Sequence, residues 1–133
     1  MTSRRISSEE GQTAVEFALV APFVVALLLA VIQFGVAFHD YVTITDAARA
    51  GARKAIVARF NGGSTSDAVQ AVRDSAAQLN QSKLGVDVSD PQWNTPGSVV
   101  TVTATYPYTI SIPLLGMTVS SGTLTAVAKE KLE

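Results

Sequence analysis

The sequence predicts an α+β protein anchored in a membrane. A long N-terminal transmembrane helix precedes a short helix and a small antiparallel sheet of about three strands. Three observations carry this. Between Phe17 and Phe38 no residue bears a formal charge. Helical periodicity then continues to Phe60, where Asn61-Gly62-Gly63 follows. Near the C-terminus, SVVTVTATYPYTISIPL alternates apolar and polar residues with period two.

The uncharged stretch makes about 33 Å of helix at 1.5 Å per residue, enough for a hydrocarbon core of about 30 Å. It is longer than the apolar centre of a secretory signal and leaves through FHDY without a small-residue cleavage pattern. The expectation is therefore a retained anchor. Arg4 and Arg5 precede the span, and Arg49, Arg53 and Lys54 follow it. The basic residues alone lean mildly toward a cytoplasmic C-terminal part and do not settle the orientation.

Helix is expected from near Thr13 to Phe60, on the order of 70 Å if unbroken. Beyond the span an apolar stripe runs through Tyr41, Ile44, Ala48, Ala52, Ala55 and Ile56. Pro22 lies inside this helix and is expected to bend or locally open it. Ser64-Thr65-Ser66 caps a second helix, Asp67 to about Asn80, with Val69, Val72, Ala76 and Leu79 on the face that covers the sheet. Leu84, Val86 and Val88 mark a first strand. A second runs to Tyr106, where Pro107 should break the ladder and leave a bent or edge segment. Leu124, Ala126 and Ala128 mark a third. Neither connection between strands holds a helix-length crossover, so the sheet should be antiparallel.

Composition narrows the function. A formal net charge of −1 over 133 residues gives no support for nucleic-acid binding. With no cysteine and one histidine, His39, no metal site can be assembled from the usual motifs, and no cofactor is expected. Asp74, Asp87 and Asp90 are scattered, no nucleophile has a base beside it, and no enzyme site emerges.

One acid, Glu16, stands at the N-terminal edge of the apolar run, where a carboxylate is costly and asks for a partner. Gly11 lies five residues before it. Cleavage after Gly11 would make Glu16 the fifth residue of an apolar new terminus and would leave a free amine on Gln12, one helical turn from the acid. In packed subunits the acid of one chain can meet the amine of its neighbour, because each charge alone is so costly there. The bland alternative is that Glu16 only marks the membrane border.

GQTAVEFALVAPF (Gly11 to Phe23), Phe34-Gly35 and DAARAGAR (Asp46 to Arg53) together resemble the TadE-like family, pseudopilins of the tight adherence (Tad/Flp) type IV pilus system. The resemblance covers about a third of the chain. It implies a pilin-like fold with a prepilin leader over 1–11, a long helix over 12–61 with its transmembrane part at 17–38, and a small extracytoplasmic domain over 62–133. It further implies cleavage between Gly11 and Gln12 by a prepilin peptidase, an assembly role for Glu16, and a bacterial cytoplasmic membrane location with the C-terminal part outside. The partners implied are the lipid bilayer, the peptidase, other pilin subunits and the assembly machinery. The alternative is a permanently anchored scaffold or extracytoplasmic binding protein that never enters a filament.

Other residues admit two readings each. Gln33 and Gly35 suit a helix–helix contact or a solvated membrane exit. Arg49 and Arg53 suit an acidic partner or headgroups, or a solvated face with a local Asp46–Arg49 pair. Trp93 suits a lid over the sheet or an exposed contact.

Overall fold

In the computed structural model α1 runs as one helix from Ser8 to Phe60, 53 residues and about 80 Å. The structure describes residues 8–89, 95, 97–112 and 116–131, with side chains from residue 11 onward. Trp93, Asp90 and the first seven residues of the expected leader lie outside these. The helix begins before the expected Thr13. Gly11 disfavours helix by only about 1 kcal/mol relative to Ala, too little to hold the start back. Pro22 is accommodated within α1.

The C-terminal stop falls where the glycines place it. Gly62 takes a φ of 71°, the left-handed conformation that glycine adopts without a Cβ penalty. The Gly63 N–H donates to the Ala58 carbonyl at 2.6 Å and the Gly62 N–H to that of Arg59 at 3.4 Å, the two bonds of a Schellman ending. The chain then turns at once into α2 (Thr65–Ser75). The Ser64 N–H donates to Asp67 Oδ2 at 2.9 Å, so the first-turn acid holds the helix start.

Helix α2 ends at Ser75, not near Asn80. Gln81 supplies the reason: its Nε2 donates to the Ala76 carbonyl at 2.7 Å, a group that a continuing helix would use itself. The next residues form a turn closed by Leu79 N–H to Ala76 O at 3.0 Å, and Leu79 stays buried.

Strands β1 (Gly85–Ser89), β2 (Val99–Ile112) and β3 (Met117–Lys131) form an antiparallel sheet in sequence order. The expected break at Pro107 does not occur, but the segment beyond Tyr106 is an edge, as expected. β1 pairs only with Thr101 to Thr105, so beyond it the β2 flank is open, and an edge tolerates a residue without an N–H. β2 pairs with β3 across Pro107↔Thr123 and shifts register between Ile110 and Ser111. β3 is longer than expected. Beyond β1, β2 and β3 therefore continue as a two-stranded arm.

The parity of β2 is as its sequence indicates: Val100, Val102 and Ala104 are buried. What covers them differs from expectation. Val69 is only partly buried and Ala68 takes its place in the row with Val72, Ala76 and Leu79. α2 meets the sheet chiefly at β1, whereas α1 packs along β2, β3 and α2. Ile44, Ala47, Ala48, Ala52 and Ala55 are buried, while Tyr41, the first residue of the expected stripe, is exposed. Side chains this small let backbones approach closely. Gly51 stands at the crossing: a Cβ there would meet Val72, and would lie 3.2 Å from the Ala68 carbonyl and 3.3 Å from Val102.

Gly51→Ala is therefore expected to lower stability by roughly 1–3 kcal/mol through overpacking. Gly35→Ala, where an added Cβ meets nothing within 4 Å, should be neutral or gain up to about 1 kcal/mol from helix propensity. Thermal unfolding of the detergent-solubilised pair measures the contrast.

Candidate assembly site

The N-terminal half of α1 carries the candidate residues on a surface that, among the described residues, is largely uncovered. No side chain from Gly11 to Val42 is buried, and Thr43 is the first that is. Phe17, Leu19, Phe23 and Leu27 point outward with two-thirds or more of their surface free. An 18-residue window of this helix reaches a mean hydropathy of 2.7. So apolar a surface, left open by its own chain, needs lipid or other helices around it.

Gly11, Gln12 and Glu16 lie in the first turns of this open helix, and all three are exposed. Gln12 Nε2 donates to Glu16 Oε1 at 3.1 Å, placing the two side chains one above the other at i and i+4. A Cβ on Gly11 would meet nothing within 4 Å, so this part of the helix stands clear of the other described residues. Pro22 follows further along the same uncovered stretch. The structure thus gathers Gly11, Gln12 and Glu16 at one end of the rod and sets Pro22 apart.

Gln33 is the residue whose role the sequence conceals. Within the chain its partner is a strand rather than a helix. Its side-chain amide engages Ser111 in β2 on both sides: Gln33 Nε2 donates to the Ser111 carbonyl, and the Ser111 N–H donates to Gln33 Oε1 at 2.7 Å. One amide thus completes the hydrogen bonding of a residue on the open flank of β2, as a third strand would. No local signal marks it, because the two positions are 78 residues apart.

Nearer the body of the fold, Arg49 pairs with Asp46 at 3.3 Å. Both are largely exposed, and an exposed i,i+3 pair contributes a few tenths of a kcal/mol. Arg53 is exposed on the same side and lines an open cleft with Arg49 and residues 127–130 of β3. Asp40 and Lys83 line another with Gln33, Tyr106 and Tyr108.

Comparison with known proteins bears on this half of the molecule. Residues 11–53 match the family described as TadE-like protein. The match begins at Gly11 and ends at Arg53, the limits of the resemblance read from the residues. It points to a structural protein associated with a pilus. No curated protein and no solved structure matches the chain.

Replacing Gln33 by Leu keeps the apolar packing but leaves both Ser111 groups without their partner, at an expected loss of about 1–3 kcal/mol. Hydrogen exchange at the Ser111 amide should accelerate, while that of Val102 in the buried part of β2 should not change.

Proposed function

We propose that the protein is a minor pilin or pseudopilin of a tight adherence pilus, a structural subunit that acts in pilus assembly and surface attachment by packing. It is inserted in the bacterial cytoplasmic membrane through α1, with the sheet outside, and is trimmed after Gly11 by a prepilin peptidase. One observation carries the reading. The family match starts at Gly11, where the exposed start of α1 presents Gly11, Gln12 and Glu16 within two turns.

The geometry bears on trimming, pairing and extraction. A peptidase needs its scissile bond extended, and the Gly11–Gln12 bond lies inside the first turns of α1. Helix ends fray readily, glycine lowers the cost of opening, and no tertiary contact at Gly11 resists it. Cleavage converts the Gln12 backbone nitrogen into an amine that is largely protonated near neutral pH. The Gln12–Glu16 hydrogen bond occupies one carboxylate oxygen and leaves the other for an incoming group. Between adjacent protomers, amine and carboxylate neutralise one another at a depth where neither is well solvated. The apolar side chains of neighbouring α1 helices replace lipid and supply most of the contact. Pro22 removes one backbone hydrogen bond from this segment, so its helix can open when a subunit leaves the bilayer.

Native protein should have the mass of a chain beginning at Gln12. Glu16→Ala should insert and be trimmed normally, yet fall at least tenfold in the filament fraction sheared from cells, since breaking a buried ion pair costs about 3–5 kcal/mol. Undiminished incorporation of that variant would refute the pairing. Absence of the unaltered protein from the sheared fraction would leave a permanently anchored scaffold.

A further inference from the structure

The β2–β3 arm has no assigned role, and its position relative to the apolar helix is informative. β2 runs down α1 toward the helix N-terminus: Val102 lies beside Gly51 and Ser111 is bonded to Gln33. The arm thus reaches a level of α1 that belongs to the uncharged stretch.

The depth follows from helix geometry. With Glu16 at one border, Phe17 to Gln33 spans about 24 Å, whereas the hydrocarbon core is about 30 Å thick. Gln33, and Ser111 with it, therefore falls about 6 Å inside the opposite border. The Ile112↔Met117 pair lies one residue further along the arm, about 3 Å deeper. Sliding the helix to lift Gln33 clear would carry the Glu16 carboxylate the same distance into hydrocarbon, which is the costlier arrangement.

Three observations agree with that depth. From Pro91 to Ala128 no residue carries a formal charge, and charge returns at Lys129, Glu130 and Lys131, opposite the far end of β2. The chain's three tyrosines, Tyr41, Tyr106 and Tyr108, gather around Ala37, beside the calculated border. Tyrosine favours that zone because its ring is apolar and its hydroxyl wet. Met117 and Val119 on the arm are 60% and 61% exposed, as open as Val31 on the helix at 62%.

We propose that the β2–β3 arm is a second membrane-seated element, dipping its Met117 and Val119 side chains into the bilayer leaflet on the sheet's side while Gln33 clasps it to α1. This rests on α1 being a membrane anchor, as read above. An open strand edge is costly in hydrocarbon. Gln33 satisfies both backbone groups of Ser111, and Pro107 has no N–H to leave open. The depth of about 6–10 Å is that of interfacial amphipathic elements, where water and headgroups still reach the remaining polar atoms.

The chain's lack of cysteine makes the test direct. Single cysteines at Val31, Met117 and Lys54 in the full chain receive an environment-sensitive fluorophore, and each protein is placed in vesicles at high lipid excess. Lipids brominated along their acyl chains then probe contact with hydrocarbon. The Met117 probe should be blue-shifted and lose fluorescence about as strongly as that at Val31, while the probe at Lys54 is unaffected. If Val31 is quenched but Met117 behaves like Lys54, the arm is outside the bilayer and the proposal is overturned with the anchor intact. A Met117 probe that is blue-shifted but not quenched by brominated lipid means that a neighbouring protomer covers the arm, which also overturns it. Loss of quenching at Val31 as well would remove the anchor itself.

Discussion

One continuous helix has to satisfy two surroundings, and the rest of the structure follows from that constraint. Its first half presents large apolar side chains that the described residues leave largely exposed, and its second half is the centre of the hydrophobic core. The composition changes accordingly. Phe, Leu and Val dominate up to Phe38, where bulk against lipid or a neighbouring rod is useful. Beyond Thr43 the inward face is almost wholly Ala and Gly, because α2 and β2 must approach the same helix from two sides. The core therefore derives its stability from close backbone approach over a long contact. A fragment starting after α1 would lack the element on which both α2 and the sheet rest.

Much of this was legible in the sequence where the physical signal is local. The period-two parity of β2 survives because one face is buried and the other is not. The Asn61-Gly62-Gly63 stop survives because only glycine takes the left-handed turn at low cost. Glu16 and Gly11 stand out because charge and glycine are rare beside so apolar a run. Distant groups account for what was missed. The end of α2 depends on the amide of Gln81, a residue beyond the helix. Continuity of β2 through Pro107 depends on β1 stopping at its pairing with Thr105, which leaves that flank open. Assigning the sheet's cover to α2 treated α1 as finished once it left the membrane.

Gln33 shows the same limit at the level of a single side chain. A polar amide within an apolar segment is ambiguous by itself: it can glue helices together, face water or satisfy its own chain. Only the three-dimensional arrangement selects the last, by bringing the free flank of β2 against α1 at Ser111. The bond in turn explains why the arm lies along the helix. Without it, the backbone groups of Ser111 on the open flank of β2 would have no partner among the described residues.

The clasp also bears on how charge at one end of the rod can govern events at the other. Glu16 and Gly51 are separated by about 52 Å of unbroken helix. The sheet is held to that helix twice, through its core at Gly51 and through its arm at Gln33. Two separated attachments along one strand resist a swing of the sheet at the membrane exit far better than one. An ion pair that fixes the axial offset between neighbouring Glu16 and Gln12 groups therefore fixes the offset between their sheets as well. On the proposed reading, this is how a single buried charge can specify the geometry of an assembly whose contacts are otherwise apolar and tolerant of sliding. On that reading the apolar rods would supply the adhesion, the ion pair would supply the register, and the doubly held sheet would carry that register along the helix.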